Sequence, residues 1–194
     1  MVLLGPDDPL PRPPRRILVN GGSGAGKSTL ARAVARALDL PYTEIDSLYH
    51  GPAWTTRPSF LDDVRAVAAG DRWITEWQYD AARPILLARC DLVVWLDLPR
   101  RVTTWRVVRR TVRRRLRREE LWNGNREGPL RHLLHDPEHI IRWAWTTHPR
   151  AAERITGVLD ERPGLPVVRV RSSAEASRWL ARLSGSGGTP GPPR

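Results

Sequence analysis

Gly21-Gly22-Ser23-Gly24-Ala25-Gly26-Lys27-Ser28-Thr29 is the stretch on which the reading of this chain turns. It matches G-x-x-x-x-G-K-[ST] from Gly21 to Ser28. Its surroundings fit the motif: Arg16-Ile17-Leu18-Val19-Asn20 is strand-like, and Leu30, Val34 and Leu38 fall on one face of a helix. Lys27 is also the single lysine in a chain with 32 lysines and arginines together. A composition that writes arginine wherever a positive charge suffices keeps a lysine where a compact ammonium must reach between phosphate oxygens. A planar guanidinium does not fit there.

The residue types follow from that task. Glycines let the backbone curl so that the N–H groups of Gly22, Ser23, Gly24, Ala25 and Gly26 point inward, and the helix opening near Lys27 adds its dipole. Such a loop binds a nucleoside triphosphate. Lys27 is expected to bridge the β- and γ-phosphates of ATP, with Ser28 and Thr29 in the same helical turn and the Ser28 hydroxyl on Mg²⁺.

At 194 residues the chain has the size of one domain with a sizeable core. Residues 1–14 are proline-rich and residues 184–194 are rich in glycine and proline. Both have too little apolar surface to offset the entropy of ordering, so they are expected as disordered tails around a domain spanning 15–183. Cys90 is the only cysteine and cannot form an internal disulfide, which suits a reducing cytosol. No apolar run approaches a membrane span, and Val2-Leu3-Leu4 is too short for a signal peptide. A cytoplasmic monomer is expected. The formal charge of +11 and pI near 11.3 call for an anionic partner or a concentrated anionic site. Ten arginines lie between Arg100 and Arg118, so the excess is local.

Strand and helix signals alternate. Strands are expected at 16–20, 42–46, 72–76, 92–97 and 167–170, with helices between them, and Ser172-x-x-Glu175 reads as a capping box before the last helix. This alternation predicts an α/β fold with a five-stranded, parallel, doubly wound sheet. Between the last two strands lies an insertion, in which Trp105, Val108, Val112 and Leu116 form an apolar stripe amid arginines.

On these residues the chain resembles the P-loop small-molecule kinases of adenylate kinase and shikimate kinase type. It resembles most closely the adenylate-kinase-like proteins known as DNA topology modulation proteins. The resemblance rests on the glycine loop, Ile45-Asp46-Ser47-Leu48-Tyr49-His50 with Trp54, Trp73-Ile74-Thr75-Glu76-Trp77-Gln78-Tyr79, Asp91 to Pro99, and the arginine-rich segment with Trp122 to Glu127. It implies that Asp46 ends the second strand facing a phosphoryl acceptor, as a base or through Mg²⁺, and Glu44 would share its strand face. It implies that Glu76 serves as a metal carboxylate, although Glu76-Trp77 stands where these families often have Asp-Gly. It makes residues of about 106–135 a lid whose arginines neutralise the transferring phosphoryl group, with Arg109 and Arg113 as the inward pair and Arg106, Arg110 and Arg114 as the alternative row. Arg142, on the helix returning from the lid, matches a further phosphate-binding arginine.

The expected function is therefore transfer of the γ-phosphoryl group of ATP, with Mg²⁺, to a small acceptor. Trp54 and Trp77 are expected to flank it, which favours a nucleotide-like one. The alternatives are a P-loop ATPase that grips nucleic acid weakly through the arginine-rich helix, and a nucleotide-binding regulator without turnover.

Overall fold

β2 (Arg16–Gly21) is apolar through its middle because it is covered on both faces and paired on both edges. In the computed structural model it runs parallel to β4 (Trp73–Glu76) through Ile17↔Ile74, and parallel to β5 (Leu92–Leu96) through Ile17↔Leu92. The structure describes residues 2–116 and 140–186, without the side chains of Val2, Arg115, Ile140, Ile141, Arg142, Trp143 and Ser186. The remaining strands are β1 (Val2–Leu4), β3 (Tyr42–Thr43) and β6 (Pro166–Val170), and the sheet order is β1-β6-β5-β2-β4-β3, all parallel. The chain therefore crosses to opposite sides of β2, and the crevice beyond the carboxyl ends of β2, β4 and β5 is where a doubly wound sheet binds its ligands.

Alternation along the strands sends side chains into two layers. Ile17, Val19, Ile74 and Val94 pack with Leu30 and Val34 of α1 (Lys27–Leu38) and with Trp179 of α8 (Ser173–Ser186). On the other face, Leu18 and Val93 pack with Ile45 of α2 (Ile45–Tyr49) and with Phe60 and Val64 of α3 (Phe60–Ala69). Leu86 of α4 (Arg83–Arg89) and Ile155 and Val158 of α7 (Arg150–Glu161) complete that layer. α5 (Arg100–Leu116) and α6 (Ile140–Thr147) pack on each other beside the crevice. The expected capping box is present in shifted form: Ser172 Oγ accepts the Glu175 N–H at 3.1 Å, and Glu175 reaches back to the Arg171 N–H at 2.8 Å.

Three expectations change. The sheet has six strands, because Val2–Leu4 pairs with Pro166–Val168 along an edge that would otherwise expose unpaired backbone. Asp7 then ties the following turn to Arg178 and Arg182 of α8, so the described part of residues 1–14 is an integral edge of the domain rather than a loose tail. At the other end α8 continues to Ser186, and 187–194 lie outside the described residues. The strand expected at 42–46 stops at Thr43, and Ile45–Tyr49 is helical, because Glu76 Oε2 accepts the Ile45 N–H at 3.1 Å and fixes the helix start. The lid beyond Leu116, including Trp122 to Glu127, lies outside the described residues.

The start of β2 depends on Asp91. Its buried carboxylate accepts the Arg15 N–H at 3.1 Å and the Arg16 N–H at 2.9 Å. Asp91→Ala strands both donors and should lower the free energy of unfolding by about 2 kcal/mol, read as a lower urea midpoint at unchanged m value. An unchanged midpoint would show that the carboxylate does not hold the strand.

Candidate active site

The phosphate loop is built where β2 gives way to α1. Gly24 (φ 77°) and Gly26 (φ 96°) take left-handed conformations that turn the chain into the helix. Gly24 is constrained twice over, since a Cβ there would collide with the Thr103 carbonyl oxygen and lie 2.8 Å from Val107 Cγ2. The loop thus rests directly on the backbone of α5. Lys27 opens α1 and folds its Nζ back to the carbonyl oxygens of Gly21, at 3.0 Å, and Gly22, at 3.2 Å. Gly22, Ser23 and Ala25 belong to the loop, and Ser28 and Thr29 follow Lys27 in the first helical turn. Burial lowers the Lys27 pKa to about 8, opposed by the carboxylates of Asp46 and Glu76 and assisted by Arg154 and Arg110.

The contact at Gly24 sets the rotation of α5. Only short side chains fit against the loop, so Thr103, Val107 and Thr111 form its buried line. The apolar stripe of Trp105, Val108, Val112 and Leu116 lies largely outside, with Trp105 65% and Leu116 81% exposed. The inward pair of arginines changes accordingly. Arg109 and Arg113 are exposed, whereas Arg106, Arg110 and Arg114 are half-buried. Arg106 donates to the Ala25 carbonyl at 3.4 Å and to Ser173 Oγ at 2.6 Å, and Arg110 acts on the charge of Lys27. Arg106 also borders a cavity of about 440 Å³ between α1, α5 and α8, reaching from Gly26 and Thr29 to Ser172 and Leu180. That cavity adjoins the loop on the side away from Asp46.

On the opposite side stands a second cluster. Asp46 lies in the first turn of α2 rather than at a strand end, so it shares no strand face with Glu44. Its Oδ1 accepts hydrogen bonds from Tyr79 Oη at 2.6 Å and Gln78 Nε2 at 2.9 Å. Tyr79 Oη also lies 3.2 Å from His50 Nε2, and the ring stacks on Tyr49 with centroids 3.9 Å apart. Phe60 and Trp54 meet this group edge-on, through Tyr79 and His50. Burial and the Asp46 charge raise the Tyr79 pKa far above its ordinary value, so the phenol stays a donor, while burial lowers that of His50. Glu76 is 1% exposed, and its oxygens accept from Tyr42 Oη at 2.6 Å and from the Ile45 N–H. Trp77 does not flank the cluster: it is 4% exposed in the core and donates to the Arg83 carbonyl at 3.1 Å. Trp54 is 43% exposed at the edge of the group.

Two further residues touch the site that carried no sequence signal. His148 Nε2 lies 2.9 Å from the Leu98 carbonyl, and its ring approaches Gly22. Arg154 of α7 donates to Asn20 Oδ1 at 3.4 Å. Arg154 is one arginine among many on an amphipathic helix, and only the packing of α7 over β2 singles it out. Arg142 lies in the backbone of α6, and its side chain is outside the described residues.

No family model matches the chain. The bifunctional pantoate ligase/cytidylate kinase of Synechococcus sp. (strain JA-2-3B'a(2-13)) is 41% identical in an alignment 83 positions long that covers 32% of this chain. The chain spans only 15% of the length of that relative. Among solved structures, the shikimate kinase from Acinetobacter baumannii in complex with shikimate superposes with a TM-score of 0.51 at 17% identity, covering 90% of this chain and 94% of that one. A gluconokinase from Sinorhizobium meliloti 1021 superposes with a TM-score of 0.48 at 22% identity, covering 90% and 96%. The chain has the fold of the P-loop small-molecule kinases. Among the described residues no helix is long and apolar enough to cross a membrane.

The donors around Lys27 suit a magnesium ion. No group of three or more His, Cys, Asp or Glu side chains gathers among the described residues, and the hard oxygens present are the Ser28 hydroxyl with the Asp46 and Glu76 carboxylates. Magnesium is held in this way, by one or two protein oxygens together with phosphates and water.

The depressed Lys27 pKa sets a pH window. Phosphate binding favours the protonated amine, so triphosphate affinity should be flat below pH 7.5. It should fall above about pH 8 by up to tenfold per pH unit, because there the free site has lost its charge. Titrating a non-hydrolysable ATP analogue from pH 6.5 to 9.5 should show this decline in the native chain and not in Lys27→Ala, whose affinity should be low throughout. A decline of equal slope in both would assign it to another group.

Proposed function

We propose that the chain is a phosphotransferase that moves the γ-phosphoryl group of ATP to a hydroxyl of a small acceptor. The observation that carries this reading is the position of Asp46. Its carboxylate acts on the ammonium of the phosphate loop, and it is held by Tyr79 and Gln78 through one oxygen. Both bonds land on Oδ1, so Oδ2 is left to take the proton of an attacking hydroxyl. A pure triphosphate binder has no need of an oriented carboxylate on the far side of its phosphate site.

The parts then have distinct tasks. The loop and Lys27 bind the β- and γ-phosphates, and the cavity beside Arg106 has the position and size for the nucleoside. Arg106 and Arg110 neutralise charge that grows on the phosphoryl oxygens during transfer. Magnesium, held through Ser28 with Asp46 or Glu76, supplies further neutralisation when bound. Tyr79, clamped by Tyr49, Phe60 and His50, keeps Asp46 in one orientation. A screen of nucleosides, nucleotides and hydroxylated metabolites for acceptor-dependent ADP formation tests the reading. In the presence of a working acceptor, Asp46→Asn should lower kcat by about 100-fold or more and leave ATP affinity within about threefold. Equal loss of ATP affinity would mean that Asp46 serves the nucleotide.

A second reading rests on the outer face of α5, where Arg101, Trp105, Arg109 and Arg113 are exposed together. A nucleic-acid-stimulated ATPase would use that row on phosphodiester backbone. The two readings part on single substitutions. In a phosphotransferase Arg110→Ala should lower kcat by about tenfold or more, while Arg109→Ala changes it less than about twofold. In a nucleic-acid-bound ATPase Arg109→Ala should weaken oligonucleotide binding and flatten its salt dependence by about one contact.

A further inference from the structure

The cavity between α1, α5 and α8 has an apolar wall. Leu30 and Ala33 of α1, Leu96 and Leu98 at the end of β5, and Ala176 and Leu180 of α8 form it, and among the described residues that line the cavity there is no carboxylate, side-chain amide or imidazole. Asp97, between Leu96 and Leu98, is paired with Arg169 and is not part of the lining. The polar groups nearby are engaged with one another. Arg106 donates to the Ala25 carbonyl at 3.4 Å and to Ser173 Oγ at 2.6 Å. In the turn between β6 and α8, Glu175 accepts the Arg171 N–H at 2.8 Å, Ser172 Oγ accepts the Glu175 N–H at 3.1 Å, and the Ser172 carbonyl accepts the Ala176 N–H at 3.1 Å. The capping box that starts α8 therefore uses the donors and acceptors with which this turn could have read a ligand. The Thr29 and Ser177 hydroxyls also line the cavity, and a hydroxyl rotates to donate or to accept as its partner requires.

Nucleobases differ at their edges. Adenine carries an amino donor where guanine carries a carbonyl acceptor, and guanine adds a second amino group. A site built to hydrogen-bond one such edge rejects the other by about 10⁴-fold or more, because its own buried groups are left unpaired, whereas an apolar pocket separates close relatives only weakly. An apolar wall contacts the flat face of every base alike. Resting on the phosphotransferase reading, with the nucleoside in this cavity, we propose that the donor site reads the triphosphate and leaves the base unread, so that the phosphoryl donor is a nucleoside triphosphate of any base and ATP is one of several. The reaction is the same for each. The acceptor hydroxyl oxygen forms its bond to the γ-phosphorus as the bond from that phosphorus to the β,γ-bridging oxygen breaks. The nucleoside diphosphate leaves with the electron pair, and the hydroxyl proton passes to Asp46.

Calorimetric titration of the full chain with magnesium tests this. The probes are non-hydrolysable analogues of ATP, GTP and CTP, and inorganic tripolyphosphate. The three nucleotides should bind within about fivefold of one another. Tripolyphosphate, which buries no base, should bind about tenfold or more weaker than any of them. Ala33→Phe fills the cavity and should bring all three nucleotides down to the tripolyphosphate value, while tripolyphosphate itself stays within about threefold of its affinity for the native chain and so reports that the phosphate loop is still folded. A preference of more than about tenfold for one base overturns the proposal, and does so without touching the phosphotransferase reading if that nucleotide still phosphorylates an acceptor. Tripolyphosphate binding as tightly as the nucleotides overturns it too, as does Ala33→Phe weakening one nucleotide alone. Equal binding of the three nucleotides with no diphosphate formed from any of them, whatever the acceptor, would support the unread base and sink the transfer reaction instead. Absence of binding by every probe would sink both.

Discussion

The ammonium of Lys27 sits at the end of a buried parallel strand with two backbone carbonyls as its nearest partners, and the site is arranged around the cost of keeping it there. A pKa lowered from 10.5 to about 8 corresponds to a penalty on the order of 3 kcal/mol for the charged form. A triphosphate removes that penalty by supplying the missing anion. In its absence the carboxylates of Asp46 and Glu76 supply part of the compensation. Their placement depends on the sheet. β4 lies directly beside β2 and delivers Glu76 to the carboxyl end, and Glu76 in turn fixes the first turn of α2, which carries Asp46. The same strand order brings β5 to the other edge of β2, so that α5 starts next to the loop.

A second constraint follows at Gly24. Because the loop touches the α5 backbone at Thr103, the helix presents small side chains there, and its rotation is fixed. Everything else on α5 follows from helical geometry: residues three and seven places on, Arg106 and Arg110, fall on the half-buried side toward the phosphate loop, and Arg109 and Arg113 turn outward. The described part of the arginine-rich segment is thereby divided between a half-buried row and a row that faces solvent. Glycine at position 24 is required both by its left-handed backbone and by the space it leaves.

This explains what the sequence disclosed and what it withheld. The glycine loop and the alternation of strands and helices were legible, because motif and periodicity report on local structure. The edge strand Val2–Leu4 was not, since its order comes from pairing with β6, which composition does not record. The helix at Ile45–Tyr49, which carries Asp46, was missed, because a carboxylate from a distant strand starts it. The rotation of α5 was not legible, because it is set by the contact of Thr103 and Val107 with Gly24, a residue distant in sequence. Arg154 had no signal, because only the packing of α7 over β2 brings it to Asn20.

Backbone strain is divided unequally between the two sides of the site. On the phosphate side the left-handed positions are Gly24 and Gly26, where they cost little. On the acceptor side they are Ala53, Trp54 and Tyr79, each of which resists such a backbone by roughly 1–2 kcal/mol. A glycine at 79 would relieve that strain and lose the phenol, so the residue persists because surrounding contacts over-determine it. Tyr79 is stacked on Tyr49, edged by Phe60 and bonded to both Asp46 and His50. What the strain maintains is the direction of one carboxylate oxygen. The phosphate side binds a ligand whose shape is constant and can rely on backbone N–H groups. On the proposed reading the acceptor side has to hold a base in register with a hydroxyl, and the rigid aromatic side chains around Asp46, Tyr79 among them in an unfavourable conformation, are what would hold it there.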